Sequence, residues 1–342
     1  MIQLGDRIRA FATVGNMLKD MDADEKAYMF GRAKSGNSWF TDENLELALN
    51  GIGNYLQEDQ LKEWTRELPQ QPERVKKIGV VMAGNIPLVG FHDFLVVLIS
   101  GHQLLAKLST KDSFLLKHIA SMLTDIEPRF DQQIAFLERL NTAEVIIATG
   151  SDNSSRYFEH YFSHLPHVIR RNRTSVGVLK GDEQPHDYQA LGKDVFQYFG
   201  LGCRNVSKLY IPQDFDFDAL LKAWQPFEGV GNHHKYNNNY DYNKSIFLIN
   251  QEPHYDTGFA LLRESEQLVS PVSVVYFERY KDVQQLEHRL KVQENKIQCI
   301  VSRDGWLSGS LSFGQAQQPK LWDYADGIDT LAFLQQLDAR GE

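Results

Sequence analysis

What most constrains this fold is an alternation of short, β-branched apolar runs with helix-like stretches, beginning near residue 76. Residues 78–82 read as a buried strand, and the turn Asn85-Ile86-Pro87 leads into a helix ending near 99. A second strand spans 103–108. A helix follows over 112–123, with Phe114, Leu115, Ile119 and Leu123 on one face, and a third strand covers 144–148. Gly150-Ser151-Asp152 opens the next helix. Strands alternating with helices imply a parallel sheet covered on its faces by helices, so the fold class is α/β. The pattern resumes beyond 180, with helices over 186–198, 215–224 and 281–290. The strands expected there cover 207–211, 245–249, 271–277 and 297–301, and the run from Asn237 to Asn243 reads as a polar loop. Residues 1–75 look helical, with Thr41 as a cap before Asp42 and Glu43, and Pro69 and Pro72 end that stretch.

This divides the chain into a helical N-terminal segment, 1–75, packed on a first α/β domain, 76–180. A second domain, 181–312, and a C-terminal segment, 313–342, follow. The break is placed at 178–186, where Gly181-Asp182-Glu183-Gln184-Pro185 interrupts the pattern. A chain of 342 residues supports about two domains and a large core. The net charge of −9 argues against nonspecific nucleic-acid binding. Two cysteines make no disulfide framework and favour a reducing compartment. The N-terminus has no apolar run of signal-peptide type, and the most apolar stretch, 86–100, contains His92 and Asp93 and is too short to span a bilayer. A cytoplasmic protein with no integral membrane segment fits these observations.

Of the two cysteines, Cys203 sits in Phe199-Gly200-Leu201-Gly202-Cys203-Arg204-Asn205, a glycine-bracketed turn. Glycines there let a substrate carbonyl approach the thiol closely. Free cysteines are more often small buried hydrophobes, and the turn alone leaves the two roles balanced. Cys299, in Ile297-Gln298-Cys299-Ile300-Val301, reads as a strand residue facing a core. Upstream, Gly84-Asn85-Ile86-Pro87 closes a strand, and the Asn85 amide is a candidate donor to an oxyanion formed by thiolate attack.

A cofactor site has its own candidates. Thr149, Gly150 and Ser151 lie between a strand and a helix, where free N–H groups suit an anion such as a pyrophosphate. Neither a G-x-G-x-x-G fingerprint nor a P-loop is present. Lys107, Ser109, Thr110 and Lys111 offer charge and hydroxyls at a strand end where NAD-binding sheets often place a carboxylate. That chemistry tolerates a 2′-phosphate and leans toward NADPH; a pair of solvated lysines is the competing account. Arg170, Arg171 and Arg173 are candidate phosphate ligands, with a surface patch or salt bridges as the alternative. The adjacent His233 and His234 lack the spacing of a metal site.

Taken in order, these segments resemble the aldehyde dehydrogenase superfamily over residues 76–335, and within it the acyl-CoA reductases related to the fatty-acid reductase of bacterial bioluminescence. Gly84-Asn85-Ile86-Pro87 resembles the Trp-Asn-x-Pro segment, and Lys107-Leu108-Ser109-Thr110 the Lys-Pro-Ser-Glu segment. Thr149-Gly150-Ser151 is similar to the Thr-Gly-Ser turn, and Gly200-Leu201-Gly202-Cys203 to the Gly-Gln-x-Cys turn. Phe313-Gly314-Gln315-Ala316-Gln317-Gln318-Pro319 and Asp323-Tyr324-Ala325-Asp326-Gly327 resemble the reductase branch. The resemblance implies two Rossmann-like domains in an aldehyde dehydrogenase-like fold, Cys203 as nucleophile and Asn85 as oxyanion donor. It places the cofactor on Lys107, Ser109, Thr110, Thr149, Gly150 and Ser151. Subunit pairing, a homo-oligomer, is also implied, although no oligomerisation hairpin is legible.

Three departures shape the expected activity. The Glu-Leu-Gly-Gly segment, whose glutamate activates water in oxidising members, is replaced by Ile169-Arg170-Arg171-Asn172. Gln267-Leu268-Val269-Ser270-Pro271 stands for Glu-x-Phe-Gly-Pro, and Thr110 for the ribose glutamate. Without the hydrolytic base, an acyl-enzyme meets hydride rather than water. The expected function is therefore NADPH-dependent reduction of a fatty acyl-CoA or acyl-carrier thioester to the aldehyde. Aldehyde oxidation, simple or CoA-acylating, is the alternative, and a non-catalytic scaffold is the alternative of another class.

Overall fold

The computed structural model describes residues 1–150 and 152–339. The chain divides into two compact units, 1–172 with 320–342, and 173–319.

The first unit opens with four helices, α1 (Leu4–Asp20), α2 (Ala23–Gly36), α3 (Asp42–Tyr55) and α4 (Glu58–Trp64). Thr41 caps α3, its hydroxyl accepting from Asn44 N at 3.2 Å. Then come β1 (Lys77–Val81), α5 (Phe91–Ile99), β2 (Gln103–Lys107), α6 (Leu115–Ile126), β3 (Ile134–Phe136), β4 (Val145–Thr149), α7 (Asp152–Phe162) and β5 (His167–Arg170). The five strands form one sheet in the order β3-β2-β1-β4-β5, every pairing parallel. Beyond His92 and Asp93 in its first turn helix α5 is apolar all round, and Phe94 through Ile99 are fully buried. A helix of that kind needs cover on every side, and the N-terminal helices provide it. Ile8, Phe11 and Val14 of α1 share one core with Ile78, Val80 and Phe94, and Phe11 meets the Phe94 and Phe130 rings edge-on.

The second unit contains β6 (Thr174–Val178), α8 (Pro185–Phe196), β7 (Val206–Pro212), α9 (Asp218–Trp224), α10 (His234–Ile249), β8 (Tyr255–Asp256), β9 (Leu261–Glu264), β10 (Val274–Tyr280), α11 (Val283–Val292), β11 (Ile297–Ser302) and β12 (Leu311–Ser312). Its sheet runs β12-β11-β6-β7-β10-β9-β8, parallel except for the β8–β9 edge. The last helix, α12 (Thr330–Ala339), returns to the first unit, where Leu331, Leu334 and Leu337 join its core. Among the described residues no helix is long and apolar enough to cross a membrane.

Several expectations need correction. Residues 245–249 are not a strand, and 237–243 are not a loop; both belong to α10. Tyr236, Tyr240, Asn243 and Phe247 are buried at helical spacing, so the face they share overrides the β propensity of Ser-Ile-Phe-Leu-Ile. The helix expected from Asn85 starts only at Phe91, because Leu88 takes a left-handed φ of 58° that interrupts it. The units divide at 172/173, ahead of the expected 178–186, because β6 pairs with β7 and β11 of the second sheet. Residues 313–342 do not stay together, since 320–339 belong to the first unit.

Candidate functional site

In the first unit the strand order reverses at β1, whose neighbours β2 and β4 lead away on opposite sides. Open parallel sheets bind ligands outside their carboxyl ends at such a switch point. The register aligns Lys107, Val81 and Ala148 across β2, β1 and β4. The candidates Asn85, Lys107, Ser109, Thr110, Thr149 and Gly150 therefore all lie at one carboxyl edge, on the strand ends or the loops that leave them. Ser151 lies outside the described residues.

The two loops beside β1 are fastened to each other. Asp112, after β2, accepts from Leu88 N at 2.7 Å, and Asn37 Nδ2 donates to Gly84 O at 3.1 Å. Burial pushes the Asp112 carboxyl up to about 6, against the pull of the Leu88 and Leu115 N–H groups. Gly84 lies so near Ser109 that an added Cβ would come within 2.7 Å of the Ser109 Cβ. Asn85, Lys107 and Thr110 are exposed on this framework, while Ser109 and Thr149 are half-buried. Gly150 lets β4 meet α7: a Cβ there would stand 2.8 Å from Ser154 Cβ and 2.9 Å from Phe158 Cε2. An exposed lysine and the hydroxyls of Ser109 and Thr110 thus stand together at the end of β2.

The three arginines are engaged elsewhere. Arg170 is buried on Asp93 at 2.6 Å, Arg171 pairs with Glu159 at 2.6 Å, and Arg173 donates to the carbonyls of Glu294 and Ile297 at 3.2 Å. They form no common phosphate cluster.

In the second unit Cys203 is exposed on the turn that joins α8 to β7, at the amino end of that strand. The turn is strained. Tyr198, Phe199 and Gly200 run consecutively left-handed, with φ of 53°, 59° and 74°, a conformation costing about 1 kcal/mol or more per non-glycine residue. Asn205 holds it in place. Its Nδ2 shares two hydrogens among the carbonyls of Asp194, Val195 and Gln197 at 3.1, 3.3 and 2.8 Å, and its Oδ1 accepts from Gly202 N at 2.8 Å. One buried amide thus satisfies carbonyls orphaned at the end of α8 and closes the loop that presents the thiol. Sequence reasoning missed Asn205; its place two residues after Cys203 was the only signal.

Asp194, fully buried on α8, receives Gly314 N at 2.6 Å and Ala316 N at 3.0 Å. Arg204 donates to Ala316 O at 3.2 Å. Of the two segments expected to mark the reductase branch, 313–319 is thereby fastened beside the Cys203 turn. Burial pushes the Asp194 carboxyl up to about 7, outweighing its two backbone donors. His233 caps α10, its Nδ1 accepting from Tyr236 N at 3.4 Å, with its ring 4.5 Å from that of Phe199. A cavity of about 30 Å³ beside Phe199, Gly200, Tyr236 and Pro271 has room for about one water.

No family model matches the chain, and no curated protein matches it in sequence. Solved structures do. Aldehyde dehydrogenase 21 from Physcomitrella patens, in complex with the reaction product succinate, matches with a TM-score of 0.64 at 13% identity, over 88% of this chain and 73% of its own. The Mycobacterium tuberculosis aldehyde dehydrogenase complexed with NAD+ matches with a TM-score of 0.62 at 10% identity, over 88% and 73%. The NAD+ complex of the aldehyde dehydrogenase from Bacillus cereus matches with a TM-score of 0.63 at 10% identity, over 88% and 72%. The chain therefore has an aldehyde dehydrogenase-like α/β fold. At these identities the likeness speaks for the fold alone.

Proposed function

We propose that this protein reduces a fatty acyl thioester, carried by coenzyme A or an acyl carrier, to the aldehyde with NADPH. The observation that carries the reading is an exposed Cys203 on a strained turn, clamped by Asn205, in a chain with an aldehyde dehydrogenase-like fold. Strain held in place by surrounding bonds points to a positioned functional group.

In this reading the Cys203 thiolate attacks the thioester carbon. A backbone N–H near Cys203 would stabilise the oxyanion, with Asn85 as the side-chain donor that the resemblance implies, an effect worth about 3 kcal/mol per donor. Collapse expels the carrier thiolate and leaves the acyl group on Sγ. The chemistry a bound NADPH supplies is hydride. Lys107, Ser109 and Thr110 would hold its phosphorylated ribose, and Thr149, Gly150 and Ser151 its pyrophosphate. The resulting thiohemiacetal breaks its C–S bond, releasing aldehyde and the Cys203 thiolate. With Ile169-Arg170-Arg171-Asn172 in place of a glutamate segment, no carboxylate there activates water against the acyl-enzyme.

Incubation with palmitoyl-CoA, without NADPH, tests this by intact-mass measurement. One palmitoyl adduct on the native protein and none on Cys203→Ala is the expected result. A second reading, aldehyde oxidation, is favoured by the fold likeness to two aldehyde dehydrogenases in NAD+ complexes. Turnover of an aldehyde with NAD+ in the absence of coenzyme A would select it.

A further inference from the structure

The chain's two cysteines, far apart in sequence, meet across one hydroxyl. Ser175, at the start of β6, donates to the Cys203 carbonyl oxygen at 3.1 Å and touches Cys299 Sγ at 3.0 Å. The Cys299 N–H returns to the same Ser175 oxygen at 3.3 Å. Cys299 sits where the β11 ladder against β6 loses its register, between Ile297 and Ile300. A bulge leaves a residue unpaired and lets the strand bend locally. Cys203 lies in a turn outside any ladder, bounded by the Asn205 N to Gly202 O bond at 3.0 Å. Ser175 thus spans from the Cys203 backbone to the Cys299 sulfur, and the Cys203 thiol lies near enough to act electrostatically on Cys299. Cys203 is open to solvent and Cys299 half-buried.

We propose that Cys299 is a resolving thiol for Cys203, so that oxidation of the exposed sulfur closes a reversible disulfide between residues 203 and 299. The oxidant class is a hydroperoxide. The Cys203 thiolate attacks the O–O bond, which breaks to give a sulfenic acid and release an alcohol, or water from hydrogen peroxide. Cys299 then attacks the sulfenic sulfur. The S–S bond forms, the S–O bond breaks, and the departing hydroxide takes the Cys299 proton as water. Two electrons pass from the thiol pair to the peroxide, and a low-molecular-weight dithiol returns them. Burial pushes the Cys299 thiol up, although Arg204 and Ser175 pull the other way, so Cys299 stays protonated and unreactive until a sulfenic acid forms beside it. The device protects the nucleophile from irreversible over-oxidation. It requires only the two sulfurs and not the acyl chemistry.

The test is intact-mass and free-thiol analysis of the full chain, with peptide mapping of Cys203 and Cys299, after excess hydrogen peroxide, then dithiothreitol. The native protein is expected to lose about 2 Da and both free thiols, and to regain both on reduction. Cys299→Ala and Cys299→Ser should instead gain about 16 or 32 Da on Cys203, and Cys203→Ala should keep its remaining thiol. A native protein that gains about 32 Da on Cys203 while Cys299 remains alkylatable overturns the proposal, as does a disulfide joining two chains. Acylation by palmitoyl-CoA, measured separately on Cys299→Ala, reports on the catalytic reading independently.

Discussion

At the scale of single residues, two buried groups decide how Cys203 is held. Asn205 makes four hydrogen bonds to backbone groups with little access to water. Asn205→Ala leaves those groups unpaired and should cost about 3 kcal/mol. Urea denaturation checks this. Asp194 provides a pH signature. Its carboxyl rises from an ordinary 3.8 to about 7 on folding, so between those values the folded state keeps a proton that the unfolded state releases. Its contribution to stability is full below pH 3.8 and is lost as the pH rises through about 7. His102, buried in the first unit and held down to about 4, contributes with the opposite slope, its share being lost as pH falls from 6.5. Asp194→Asn should therefore flatten the second unit's decline between pH 4 and 7 in urea midpoints, leaving the His102 trend. The Cys203 turn stands out in the sequence because two glycines shortly precede the thiol. Asn205 and Asp194 do not, because their importance lies in which backbone atoms fold back to meet them.

At the scale of elements, the alternation of strand and helix was readable, since a strand buried on both faces must be nearly all apolar. Strands expected at 78–82, 103–108 and 297–301 lie within a residue of β1, β2 and β11. Failure came where a shared buried face outvoted local propensity, as in α10, and where a carboxylate serves as a staple. Asp112 reads as a helix start, yet it ties the loop after β1 to the loop after β2. The glycines at these edges test the geometry. Gly150→Ala drives a methyl into Ser154 and Phe158 and should cost about 1–3 kcal/mol by pushing α7 off β4. In the proposed reading it should also weaken NADPH binding at least tenfold, as a fluorescence titration would show. An unchanged affinity would mean that the turn does not hold the cofactor.

At the scale of the whole molecule, the α/β class and the aldehyde dehydrogenase-like fold were both legible, the class from periodicity and the fold from the order of short segments. The division at 172/173 was not, because only pairing across the sheet shows that β6 belongs with β7 and β11. Cofactor choice is a property of the intact chain. Lys107→Ala should lower NADPH affinity about tenfold while leaving NADH binding nearly unchanged, and thermal shifts at matched ligand concentrations report this. Equal loss for both cofactors would remove the case for a 2′-phosphate contact. The acyl-enzyme itself gives the most direct measurement: intact-mass spectra after mixing with palmitoyl-CoA, followed by NADPH. The account predicts one palmitoyl group per chain on Cys203, discharged as hexadecanal when NADPH is added. Palmitoylation that persists in Cys203→Ala, or release as palmitate alone, would contradict it.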